Sequence, residues 1–182
     1  MTTHGFRHTR DGGVKLTLPE YEAALLTNLA GQLIAMLAED YEGEQPSDSL
    51  AAMLGPGFGT AAPKSLPDDP VMARLLPDAY EDADASAEFR RFTEHDLRTG
   101  KLDRAQTMLR TLGEGGSIRL NAEEASAWLG CLNDLRLALG TRLEVTEDDY
   151  ENVDENDPRW PMFSVYDWLT YLQNSLILAI ED

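Results

Sequence analysis

The fold of this chain is decided by Val14-Lys15-Leu16-Thr17-Leu18-Pro19-Glu20-Tyr21-Glu22-Ala23. Val14, Leu16 and Leu18 alternate with Lys15 and Thr17, the period of a strand with one buried face. Pro19 then opens a helix, where a missing N–H costs nothing, and Glu20 and Glu22 complement the dipole of its first turn. Leu25, Leu26, Leu29, Leu33, Ile34 and Leu37 follow at helical spacing and predict an amphipathic helix to about Ala38. Upstream, Phe6-Arg7-His8-Thr9-Arg10 leads into Asp11-Gly12-Gly13, a turn tolerant of positive φ, so the chain starts with a hairpin.

The same pattern returns at Ile118-Arg119-Leu120-Asn121-Ala122-Glu123-Glu124-Ala125. Asn121 caps a helix whose apolar stripe is Trp128, Cys131, Leu132, Leu135, Ala138 and Leu139, with Gly140 as its stop. Leu29 then corresponds to Cys131, Leu33 to Leu135 and Leu37 to Leu139. Two such strands pair naturally, with both helices on one sheet face; a duplication and the generic look of any strand-to-helix junction explain the likeness equally.

Between these halves, residues 42–69 carry Pro46, Gly55, Pro56, Gly57, Gly59, Pro63 and Pro67 and read as a flexible insert. A short helix over 70–76 stops before Pro77. A helix over 84–99 offers Phe89, Phe92 and Leu97 as inward residues, and 102–112 continues it as a second or bent segment across Gly100. Residues 142–146 read as extended, and 144–157 as an acidic loop with eight carboxylates and no Lys or Arg. Ser164 caps a last helix that buries Val165, Trp168, Leu169, Leu172, Leu176, Ala179 and Ile180. The expectation is one domain over 1–182, mainly α within an α+β class: a helical bundle with a small antiparallel sheet from the hairpin and a third short strand.

Composition narrows the function. With 33 acidic and 15 basic residues the formal charge is −18, which opposes phosphate backbones and suits a basic partner or simple solubility. The longest apolar runs are far short of a membrane span and the N-terminus lacks a signal-peptide core, so cytoplasm is the expected location. The one cysteine, Cys131, permits neither an internal disulfide nor a cysteine-based zinc site. It lies on an apolar stripe, where a packing role outweighs that of a redox thiol.

No nucleophile elbow, P-loop or dinucleotide fingerprint is present, and no cofactor is expected. His4 and His8 alternate onto one strand face without an evident third metal ligand, and His95 reads as a helix-surface residue. The acidic loop lacks the glycine and ligand spacing of an EF-hand and is better suited to steering a basic surface. The most basic stretch, 90–110, carries a local excess of three charges, modest for DNA binding and better used in pairs such as Glu94 with Arg98. Asn133, Asp134 and Arg136 interrupt the most apolar helix, with Arg142 just beyond; a pairing of Asp134 with an arginine of another element is the structural expectation.

Four segments add a further indication: 69–80 with Leu76-Pro77-Asp78-Ala79-Tyr80, Glu88-Phe89-Arg90, 127–143 with Leu132-Asn133-Asp134-Leu135-Arg136-Leu137-Ala138-Leu139-Gly140-Thr141-Arg142-Leu143, and Tyr166-Asp167-Trp168-Leu169. Together with the hairpin they resemble the actinobacterial oxidative-stress transcriptional regulator family (AosR), formerly a domain of unknown function. The resemblance implies a non-enzymatic regulator in contact with an alternative sigma factor of RNA polymerase. It makes Asn133, Asp134, Arg136 and Arg142 the signature residues for partner binding or structure. The redox sensing associated with that family needs two cysteines, and this chain has Cys131 alone. The alternatives are direct DNA binding through the 90–110 helices and a small ligand-binding domain.

Overall fold

The computed structural model describes residues 5–39, 66–145 and 156–181. The hairpin forms as β1 (Arg7–His8) and β2 (Val14–Leu18). The Thr9 N–H donates to the Gly13 carbonyl at 2.8 Å and closes the turn. Helix α1 (Glu20–Glu39) follows, then α2 (Pro70–Leu75), α3 (Ala83–Leu112), β3 (Gly116–Leu120), α4 (Ala122–Leu143) and α5 (Trp160–Glu181). The sheet is antiparallel in the order β1-β2-β3. Its inner face, with Val14, Leu16, Leu18, Ile118 and Leu120, is buried against the helices. The mainly α architecture with a small three-stranded sheet is therefore as expected. Most of the 42–69 insert, most of the 144–157 loop and His4 lie outside the described residues.

The two strand–helix units meet across a local two-fold relation. Leu16 pairs with Ile118, its own counterpart, while Val14 pairs with Leu120 and Leu18 with Gly116. The glycines before each strand repeat it. A Cβ on Gly13 would stand 2.6 Å from the Leu120 carbonyl oxygen, and one on Gly115 would stand 3.2 Å from that of Leu18. Only glycine lets the backbones approach this closely.

Helix α4 is the hub, with Trp128, Cys131, Leu132 and Leu135 buried. It packs on α2, α3 and α5. Its N-terminus carries a capping box: Asn121 accepts from the Glu124 N–H and Glu124 accepts from the Asn121 N–H. The Trp128 indole N–H donates to Thr111 of α3 at 2.7 Å, and Phe6 packs its ring edge-on at 5.7 Å.

Two expected boundaries are corrected, and the choice left open at Gly100 is decided. Gly100 neither breaks nor splits α3, which runs as one helix of 30 residues. A helical glycine costs only about 1 kcal/mol, and the buried stripe of Lys101, Ala105, Met108 and Leu112 outweighs that. Gly140 does not end α4, which runs to Leu143 and closes at Glu144 in a left-handed conformation with φ 52°. The bare Cα of Gly140 instead makes room for Tyr166, whose ring would lie 3.2 Å from an added Cβ. Helix α5 starts at Trp160, a turn before Ser164, whose hydroxyl donates to the Trp160 carbonyl within the helix. Of its expected core face, Val165 and Trp168 are half-buried and Ile180 is exposed, whereas Phe163 and Gln173 are buried.

Candidate partner-binding face

The first half of α3 is inside out. Phe89 is 43% exposed, Phe92 69% and Leu97 38%, so the three expected inward residues are on the surface. The inward stripe is Ser86, Arg90, Glu94 and Arg98, followed by Lys101. Glu94 is the centre of this buried array: Oε2 accepts from Arg90 at 3.0 Å and Oε1 from Arg98 at 2.9 Å. Arg98 also donates to the Leu37 carbonyl at the end of α1, and Arg90 to the Leu76 carbonyl beyond α2. Each guanidinium thus satisfies a backbone carbonyl near a helix end, which an apolar residue could not do. The expected Glu94–Arg98 pair is present, but it is buried and structural.

Arg90 reaches further, to Asp78 at 2.8 Å. The hydrogen bond from Arg90, and then that from the Ser86 hydroxyl, hold the Asp78 carboxyl below its ordinary range. These contacts pin residues 76–80 beside α3, leaving a groove of about 340 Å³ between them. Leu76, Pro77, Ala79, Phe89 and Leu97 line it, with Arg90 and Glu94 beneath. Tyr80 stands edge-on to Phe89 at 5.6 Å. The i, i+4 repeat of alternating charge at Arg90, Glu94 and Arg98 was the signal in the sequence for this inversion; apolar periodicity concealed it.

The four signature residues are not brought together. Asp134 is 1% exposed and bonds Lys101 of α3 at 2.6 Å, so its partner is a lysine and not the expected arginine. Arg136 turns to α5, donating to Thr170 at 2.9 Å and Gln173 at 2.6 Å and lying 5.3 Å from the Tyr166 ring centre. Asn133 is exposed, and exposed Arg142 contacts the sulfur of Met36 at 3.4 Å. Asp134 and Arg136 therefore tie the hub helix to two different neighbours.

Cys131 is fully buried. Burial, and then the Asp134 carboxylate, push its thiol up to about 12. It is protonated at neutral pH and sealed from oxidants, the reverse of a reactive thiol. Peroxide is expected to produce no Cys131-linked dimer of the folded protein, and a thiol reagent to label it only as denaturant unfolds the chain. Labelling at the rate of an exposed thiol in native buffer would show that the site opens locally.

The basic stretch is largely committed. Arg90, Arg98 and Lys101 are buried in the pairs above, and Arg110 faces Glu124 at 3.5 Å. Phosphate contacts need exposed cations, so this helix offers DNA little. His8 Nδ1 lies 3.2 Å from the Ala179 carbonyl and ties β1 to α5. A second hollow, of about 360 Å³, lies beside the hairpin turn between Asp11, Arg119 and Asn121. Neither it nor the α3 groove is lined by Asp134, Arg136 or His95. Among the described residues no three His, Cys, Asp or Glu side chains gather as metal ligands, and no helix is long and apolar enough to cross a membrane.

The model of a domain of unknown function, DUF2017, matches residues 3–180. The chain belongs to this family. Relatives of it named oxidative stress regulator AosR occur in Mycobacterium bovis (strain ATCC BAA-935 / AF2122/97) and Mycobacterium tuberculosis (strain ATCC 25618 / H37Rv). Each is 38% identical over 188 residues, spanning 94% of this chain and 84% of the relative. No solved structure matches the chain. The likeness to AosR runs through both strand–helix units and helix α3.

Proposed function

We propose that this family member is a non-enzymatic regulator of the oxidative-stress response that acts by protein–protein contact, with an alternative sigma factor of RNA polymerase as partner. The observation that carries this reading is the inverted face of α3, where aromatic side chains are presented to solvent while the helix buries its own charges. Large exposed aromatics are what interfaces use as anchors. The names of the relatives supply the regulatory context. The buried ionisable groups Glu94, Lys101 and Asp134 are engaged as ties between side chains and helices, which leaves binding as the role best supported.

With one buried cysteine, a redox response in this chain cannot run through an internal disulfide. Capture with the tagged protein against purified sigma factors, at low and at high salt, tests the proposal. Recovery of one sigma factor that survives moderate salt is the expected result. Retention of no transcription component in either condition would overturn it.

A further inference from the structure

The protein-contact reading leaves open which surface binds and what chemistry it takes. We infer that the groove between residues 76–80 and the outer face of α3 receives an amphipathic helix whose apolar stripe is flanked by lysine or arginine. This assignment rests on the protein-contact reading and specifies it.

The apolar half of the argument is geometric. Phe89 and Phe92 lie three residues apart on the helix and so share a side of it, and Tyr80 extends the strip across the loop. Leu76, Pro77 and Leu97 provide a concave wall beside it. The loop is held in place from beneath, because Arg90 bonds both the Leu76 carbonyl and Asp78. A groove prefixed in this way spares a partner the cost of ordering it. Lying between a loop and the α3 face from Ser86 to Leu97, it suits apolar side chains spaced at i, i+3 and i+4.

The charged half selects the partner. Asp78, Glu81 and Asp82 stand exposed along the loop, and Asp96 lies four residues beyond Phe92 on the same side of α3. Two cations of α3 beside the strip are not offered to that side. Arg90 is buried and triply bonded. Arg91 lies two positions from both Phe89 and Thr93, which turns it to the far side of the helix. An apolar strip edged by carboxylates complements a basic helix and disfavours an acidic one. A second copy of this chain fits poorly, since two bodies of formal charge −18 repel.

The test uses a fluorescein-labelled synthetic helix of about 18 residues, roughly five turns, with leucine along one stripe and lysine elsewhere. Its comparators are a peptide of the same composition in shuffled order, which scatters the leucines, and one with glutamate for every lysine. Polarisation titrations against the full chain should show saturable binding of the first peptide and at least tenfold weaker binding of both comparators. The double variant F89S/F92S should lose at least tenfold, and so should Leu97→Arg, which places a like charge at the groove. Leu178→Ser, at an exposed leucine of α5, should change affinity less than twofold. Both phenylalanines are exposed, so the double variant should keep the wild-type urea midpoint.

Equal affinity for the shuffled peptide, or unchanged affinity in both groove variants, overturns the groove assignment. Sigma-factor capture separates this from the wider reading. A double variant that captures a sigma factor as well as the wild type removes the groove and leaves the contact role. A wild type that captures none removes the contact role, while the peptide titration still decides the groove.

Discussion

Replacing Glu94 by alanine is expected to lower the free energy of unfolding by about 3–5 kcal/mol, the range for breaking a buried ion pair. Glu94 is 7% exposed and its two carboxylate oxygens serve two guanidiniums, Arg90 and Arg98, which are 5% and 3% exposed. Removal takes from Arg98 the carboxylate it pairs with and leaves Arg90 with Asp78 alone, both cations still buried. The damage should spread, because those cations also hold the Leu37 and Leu76 carbonyls. Urea denaturation followed by circular dichroism measures it. Glu94→Gln keeps the shape and an acceptor oxygen and should lose less. A loss below about 1 kcal/mol for the alanine variant would mean that water already solvates the array, since that is the scale of an exposed pair.

The second large effect is at the hub. Asp134→Ala is expected to cost about 3–5 kcal/mol, mostly from stranding the Lys101 ammonium between α3 and α4. Asp134 is 1% exposed, its Oδ1 bonds Lys101 and its Oδ2 has no hydrogen-bond partner. A carboxylate satisfied through only one oxygen contributes little net stability, so removing both charges together should be far milder. The double variant K101M/D134L should recover most of the loss and approach the wild-type midpoint. If the double variant is as unstable as Asp134→Ala, the ion pair itself, and not relief from a buried unpaired charge, holds these helices together.

The two effects have one origin in the chain. Pattern reading finds strands and helices from apolar spacing, and here it located β2, β3, α1, α4 and α5 because each has an apolar face against the core. It failed on the first half of α3, where the rule of apolar inside is reversed. Phe89, Phe92 and Leu97 were read inward because a helix usually buries its large apolar residues. What reversed them was demand from outside the helix: the carbonyls of Leu37 and Leu76 need donors, and only long cationic side chains on α3 reach them. Gly140 misled for a similar reason, and Gly100 left a split helix open. Locally either glycine can end a helix, yet the packing of Lys101, Ala105 and Met108 after Gly100 and of Tyr166 against Gly140 keeps each helix going.

The candidate site was partly legible. Asp134 and Arg136 were visible as polar residues in an apolar helix, but the sequence could not say that they face different neighbours, one α3 and the other α5. The groove beside α3 was not legible at all. It exists only because Arg90 draws residues 76–80 against a helix that begins after them.

By itself the sequence determined the alternating strand Val14 to Leu18, its echo before Asn121, the amphipathic helices that follow each, and the family resemblance. Those follow from local periodicity and side-chain type, which a linear chain records. Tertiary structure alone decided that the two strands pair about Leu16 and Ile118, that Asp134 meets Lys101, and that α3 turns its charges in and its aromatics out. Each of those depends on which polar groups from distant parts of the chain must be satisfied when water leaves, and that is fixed only when the elements meet.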